Sequence, residues 1–290
     1  MKLRGEVRAF RQPDGLIIDR SLDFRFGKKE FSMLYVIYIL AGLGAGVVTG
    51  LAGLSAAVII TPMLVSLCGW QSYDAVTVAL ASDVLASLLS AYTYYKNGNI
   101  DLKRGIYVTV TAFIGTIVGS YCGYLFSRSD PDGLGYLSMA TTILLGVKFL
   151  YKPVTGGMDR AASRKIDNQT RKAMISGTVI GWVCGFTGSG GGVLMLMVFT
   201  VILGYNLKIA VGTSTMIMTL VALTGAVSHI SMGAGIYPLP MACTVLSCLF
   251  GAAVSARFAN RCEIRKLNRI VGYVLLVLGV VTWYIKIRYR

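Results

Sequence analysis

Four stretches of the chain, Phe31–Tyr73, Gly105–Ser127, Ala173–Leu207 and Ile209–Ala256, contain no Asp, Glu, Lys or Arg. A helix that crosses a bilayer needs about 20 apolar residues, so the two longest runs must each hold more than one helical segment. Apolar segments are expected at 33–69, 75–95, 105–127, 134–151, 173–204, 209–230, 236–256 and 269–286. The pattern predicts an all-α membrane protein of about eight transmembrane helices.

Segment 33–69 has 37 residues, which is about 55 Å as one straight helix against a hydrocarbon core of about 30 Å. It must bend, break or double back, and its Gly-rich middle is the expected place. If it counts as one crossing, the loops hold 21 basic residues on the side of both termini and 7 on the other. If it and its counterpart cross twice, the count becomes 12 against 16. The positive-inside rule then favours eight crossings with both termini cytoplasmic, although loop 257–269, with five basic residues, falls on the wrong side.

A glycine ladder occurs twice, 135 residues apart: Gly42, Gly46, Gly50 and Gly53, then Gly177, Gly181, Gly185 and Gly188. Residues 42–98 align without a gap onto 177–233, with 13 identities in 57 positions. The expected organisation is a basic cytoplasmic extension over 1–30, strand-like around 16–26; a first repeat of four spans over 31–152; a basic cytoplasmic linker over 153–172; and a second repeat over 173–290. Whether the repeats run parallel or inverted depends on crossing parity and stays open. Duplication inside a polytopic chain is typical of secondary transporters, whose substrate site lies between the repeats.

Composition agrees: 55% of the 290 residues are hydrophobic, 14% are charged, and mean hydropathy is +0.66. A soluble surface needs about 25% charged residues. The net charge of +15 comes largely from eight basic residues in 1–30 and seven in 148–172. Beside spans, such clusters point to anionic lipid headgroups and not to nucleic acid. The six cysteines lack CxxC spacing and read as small buried hydrophobes, so neither a metal site nor a soluble cofactor is expected. No cleavable signal peptide is expected at the start, because residues 1–30 are basic and polar.

The strongest local signal is Gly188-Ser189-Gly190-Gly191-Gly192, preceded by Thr187 and matched in the first repeat by Gly53, Ser55, Ala56 and Ala57. Glycines in series break a helix, and irregular backbone at membrane depth survives where it lines a cavity or is buried in protein. A half-helix starting there aims free N–H groups and its dipole at the cavity, a seat for an anion. The ladder glycines and Gly115, Gly119 and Gly123 read instead as close helix packing. Thr77 with Ser82, and Thr213, Ser214 and Thr215, line the path or bond their own helix carbonyls. Asp83 is the acidic residue well inside an apolar segment, and His229 is the single histidine. Both are candidates for ion coupling, by a proton or sodium.

The duplicated Gly-rich segment, Pro62, Gly69 and the small-residue stretch from Ala75, with Gly204, Ala210 and Gly212-Thr213-Ser214 in the second copy, resemble the sulfite exporter TauE/SafE family. The resemblance covers about residues 33–287. It implies a cell-membrane exporter of small sulfur-containing anions such as sulfite, thiosulfate or organosulfonates, coupled to an ion gradient. Ser55-Ala56-Ala57 replaces a glycine run of the family pattern, and Met197 replaces a proline. Two other readings remain: an anion channel or a transporter of another small solute, and an intramembrane serine protease using Ser189 and His229. Against the protease, the second repeat's Ser189 and His229 correspond to Leu54 and Tyr94 in the first, and a dyad gains nothing from duplication.

Overall fold

The computed structural model describes residues 28–130, 132–151, 166–187, 191–199, 205, 207–259 and 264–288. The strand expected near 16–26 lies outside them, as does most of the basic linker. The described residues form ten helices: α1 Lys28–Ala52, α2 Ala57–Leu67, α3 Ser72–Lys96, α4 Leu102–Ser129, α5 Gly133–Tyr151, α6 Ile166–Thr187, α7 Gly191–Met197, α8 Leu207–Ser231, α9 Pro238–Ala259 and α10 Ile264–Arg288. Five of them, α1 from Met33 onward, α3, α4, α8 and α9, are long and apolar enough to cross a membrane. The apolar parts described for α2, α5 and α6 are shorter, so the described residues do not supply eight long apolar helices.

The first apolar segment does not run straight through. Helix α1 ends at Ala52, the chain turns through Gly53 at φ +64°, and α2 starts at Ala57. Helix α2 then folds back along α1: Ile59 packs opposite Gly44, and the Trp70 ring lies 6.0 Å from that of Tyr38. Counting segment 33–69 as one crossing is therefore corrected, because the segment returns towards the end from which it started. A left-handed backbone at Gly53 allows the reversal, since a Cβ there would strain the chain.

Glycine sets which helices touch. A Cβ on Gly46 would lie 2.0 Å from the Cys248 carbonyl oxygen, and one on Gly181 would lie 2.1 Å from that of Ala112. Gly42, Gly46 and Gly50 thus seat α1 on α9, and Gly177, Gly181 and Gly185 seat α6 on α4, each pair running in the same direction. Gly115, Gly119 and Gly123 complete the second seam against Thr178, Trp182 and Phe186. In a bilayer, where lipid competes for every apolar surface, such backbone approach supplies the dispersion contacts that hold helices together.

Helices α3 and α8 cross the middle of the molecule antiparallel. Thr77 meets His229 at one end, Ser87 meets Thr219 at 3.1 Å midway, and Tyr94 packs over Gly212 at the other. Helices α5 and α10 are antiparallel too, with Gly146 against Leu276 and Gly272 against Leu150. Outside this core, Ile106, Val110, Phe113, Ile117 and Tyr121 of α4 form an exposed apolar stripe suited to lipid.

Candidate functional site

The break between α1 and α2 lies in the protein interior, with Leu54, Ser55, Ala56 and Ala57 all buried. No side chain caps α2 at Ala56, and the Ser55 hydroxyl oxygen accepts the Ala57 N–H at 3.3 Å. A Cβ on Gly53 would lie 2.9 Å from Ser214 Oγ, so α8 closes one side of the turn. In the second half, α6 ends at Thr187 and α7 starts at Gly191. Gly188, Ser189 and Gly190 lie outside the described residues. The start of α7 meets the first break: a Cβ on Gly192 would lie 2.5 Å from the Gly53 carbonyl oxygen and 3.0 Å from Ser55 N.

Asp83 enters this junction from α3. It is fully buried, and its carboxyl faces the Ser55 hydroxyl and the Ala56 amide at the start of α2. Neither oxygen has a hydrogen-bond partner among the described residues. Cys184 of α6 and Cys248 of α9 lie within electrostatic reach of it. A buried, unpartnered carboxylate is costly, and such groups in membrane proteins mark ion pathways.

His229 serves elsewhere. Its Nε2 donates to the Gly185 carbonyl oxygen at 3.1 Å, its Nδ1 lies 3.3 Å from Thr77 Oγ1, and its ring stacks on Tyr73 at 4.3 Å. Tyr94, which aligns with His229, donates its hydroxyl to the Gly50 carbonyl oxygen at 3.3 Å, and Gly50 aligns with Gly185. Tyr94 therefore caps a carbonyl in the last turn of α1, where the helix stops short of the i+4 amide, and His229 caps the aligned carbonyl in the last turn of α6. Both ring nitrogens of His229 are thus engaged among the described residues.

The remaining candidates divide. Ser214 Oγ donates to the Val211 carbonyl at 2.9 Å, Thr215 Oγ1 to that of Gly212 at 2.9 Å and Thr187 Oγ1 to that of Val183 at 2.9 Å. Ser82 Oγ donates to its own helix at Val78, and Thr77 Oγ1 to Tyr73. Thr213 Oγ1 instead accepts the Asp101 N–H at 3.0 Å, which ties α8 to the turn before α4. Ser214 also lies against Gly53 at the junction.

Two acidic residues that sequence reasoning missed fasten the ends of this core. Asp74 accepts Gly235 N–H at 2.8 Å and Tyr237 O–H at 3.1 Å; Asp101 accepts from Tyr205 O–H and from Arg104 N–H. Their position at the edges of apolar segments is the signal that was available. An acid at a helix start reads first as a cap, and Asp101 is one.

A profile of the family described as sulfite exporter TauE/SafE matches residues 38–282. The chain is 28% identical to a probable membrane transporter protein, YunE, of Bacillus subtilis strain 168, over 85% of this chain and 96% of that one. It is 25% identical to a second from the same organism, YdhB, over 78% and 90% of the two chains. A probable membrane transporter protein of Haemophilus influenzae is 26% identical, over 69% and 75%. No solved structure matches the chain. The family is one of membrane transporters and not enzymes, and a match across nearly all of the helical core places the chain in the sulfite exporter TauE/SafE family.

Proposed function

We propose that the protein is a secondary transporter that carries a small sulfur-containing anion, such as sulfite, thiosulfate or an organosulfonate, through the junction where its two helix breaks meet. The observation that carries this reading is the contact of Gly192 with Gly53 and Ser55, deep in the helical core and beside Asp83. Irregular backbone there leaves N–H groups without helical partners, and these suit an anion. The proposed seat comprises Gly53, Ser55, Ala56, Ala57, Thr187, Gly188, Ser189, Gly190, Gly191, Gly192 and Ser214. Thr213 and Thr215 contribute by holding α8, and Asp83 couples transport to an ion.

The architecture behind this reading is two copies of one unit, 31–152 and 173–290, inserted in opposite senses. Helices α3 and α8 have matching bounds 135 residues apart, both are followed by a positive-φ glycine (Gly98 and Gly233), and they pack antiparallel. Inverted repeats give two equivalent half-sites that open in turn to opposite faces. If the second copy's first segment folds back as the first copy's does, each copy keeps three full crossings, an odd number, as inversion requires. On that count the linker and loop 257–269 share one face with 16 basic residues, against 12 on the face of the termini. That balance puts the linker face in the cytoplasm and both termini across the membrane, reversing the orientation expected from sequence.

The deciding experiment is the thermal stability of the purified protein in detergent against sulfite, thiosulfate, sulfate, sulfoacetate, taurine and chloride at fixed ionic strength. A ligand at about 100 times its dissociation constant adds about 2.7 kcal/mol. Selective stabilisation by one sulfur anion, erased by Gly192→Leu, supports the reading. Stabilisation by chloride alone favours the anion-channel alternative, and indifference to every anion removes the sulfur assignment.

A further inference from the structure

Each end of the central helix pair is fastened to a neighbouring helix by the same kind of contact. Where α3 starts, Asp74 accepts Gly235 N–H at 2.8 Å and Tyr237 O–H at 3.1 Å, and the Tyr237 ring lies 4.5 Å from that of Trp70. This ties α3 to the turn that leads into α9, at the end of the molecule where Tyr38 of α1 packs on Trp70. Where α8 starts, Asp101 accepts from Tyr205 O–H, and its own N–H donates to Thr213 Oγ1 at 3.0 Å. The Arg104 guanidinium lies 5.9 Å from the centre of the Tyr205 ring. This ties α8 to the turn that leads into α4. Because α3 and α8 are antiparallel, the two fastenings lie at opposite ends of the molecule.

We propose that these two contacts are the gates of the transporter, one for each face, and that the protein opens by releasing one acid–tyrosine pair while the other holds. The proposal rests on the reading of the protein as a carrier built from inverted repeats. With both pairs made, Ser55, Asp83 and Ser214 at the junction are all buried, as a state closed to both faces requires.

These contacts differ from the glycine seams in what they are made of. Helices α1 and α9, and α4 and α6, meet backbone against glycine, so neither pair slides without a clash. The end contacts are side-chain hydrogen bonds and ring faces, which part when a side chain rotates. The turns behind them have room: among the described residues nothing lies within 4 Å of a Cβ built on Gly98 or Gly233. Release at one end therefore lets α9 tilt away from the central helices together with α1, and release at the other lets α4 tilt together with α6. Nor are the pairs a by-product of duplication. Asp74 and Asp101 align with Ile209 and Ile236, and Tyr237 and Tyr205 align with Leu102 and Trp70. Each end takes its acid from the first repeat and its tyrosine from the second, although the alignment dictates neither. Two pairs of the same chemistry keep the states open to either face close in free energy, which alternating access needs.

The test reads accessibility and needs no substrate. In the full chain carrying Ser214→Cys, a membrane-impermeant maleimide is applied from each face in turn, with intact cells and inside-out vesicles. Labelling at position 214 is read by peptide mass spectrometry, so the native cysteines stay in place. Tyr237→Phe is expected to raise the labelling rate about tenfold from the face of the termini alone, and Tyr205→Phe to do so from the opposite face alone. Tenfold corresponds to about 1.4 kcal/mol, in the range of a hydrogen bond to a charged group. Both variants keep an aromatic ring for Trp70 and Phe199 to pack on. The native Cys184, also fully buried, is read in the same way in chains without Ser214→Cys, in case that substitution disturbs the junction. Labelling unchanged in both variants, raised from both faces at once as in a loosened fold, or raised at the wrong face overturns the proposal. Sided labelling holds whichever solute is carried, and stabilisation by a sulfur anion holds whichever way the labelling falls, so the two readings fail separately.

Discussion

At the scale of single residues, the structure sorts side chains that looked alike in the sequence. Asp83, Tyr94 and His229 all come from the two central helices and all point at a helix break. Tyr94 and His229 each bond a carbonyl in the last turn before a break, whereas Asp83 is left without a partner among the described residues. Tyr94→Phe removes the hydroxyl from the Gly50 carbonyl and is expected to cost about 1 kcal/mol, read as a lower melting temperature in detergent. His229→Gln keeps an N–H donor for Gly185, so it is expected to be more stable than His229→Leu by about 1 kcal/mol or more. Equal stability of those two variants would rule out the cap. Asp83 stood out in the sequence because a carboxylate in an uncharged run is costly wherever it lies. The role of Tyr94 was hidden, since a tyrosine near a membrane edge is ordinary until its hydroxyl is seen to reach a particular carbonyl.

Helices and their seams follow one rule, that a glycine matters where a backbone faces it. Gly46→Ala drives a methyl into the Cys248 carbonyl, while Gly44, two residues earlier on another face of α1, has its nearest neighbour at the Ile59 side chain, 3.7 Å off. Gly46→Ala is therefore expected to lose about 1–3 kcal/mol by overpacking, whereas Gly44→Ala is neutral or stabilising by up to about 1 kcal/mol from helix propensity. Thermal melts of the two variants side by side check this, and similar melts would undo the packing account of the ladder. Gly53→Ala adds the strain of a left-handed backbone, about 1–2 kcal/mol, to its contact with Ser214. Helix positions were legible from the uncharged runs: 75–95 became Ser72–Lys96, 209–230 became Leu207–Ser231 and 236–256 became Pro238–Ala259. The need for a break in segment 33–69 was legible too, from length against bilayer thickness. Its outcome was not, because a bent crossing and a hairpin have the same length and composition, and the choice falls to contacts such as Tyr38 with Trp70.

For the whole molecule, orientation is the prediction at stake. A tag at either terminus is expected to react with a membrane-impermeant reagent in intact cells, and a cysteine placed in the linker is expected to stay protected until the cells are opened. The opposite pattern would restore the termini to the cytoplasm and would require the first segments to cross. The sequence by itself determined membership of the membrane class, the internal match and the family, because these rest on composition, run length and residue identity, all local to the chain. It also singled out Asp83, since the cost of burying charge in lipid depends little on its neighbours. Only the tertiary structure decided that segment 33–69 folds back, that α3 and α8 run antiparallel, that the start of α7 touches the break between α1 and α2, and that His229 is a cap while Asp83 faces the start of a helix. Those are relations between residues far apart in sequence. They are fixed by which backbones can approach and which polar groups find partners once the helices are packed, and no single segment carries that information.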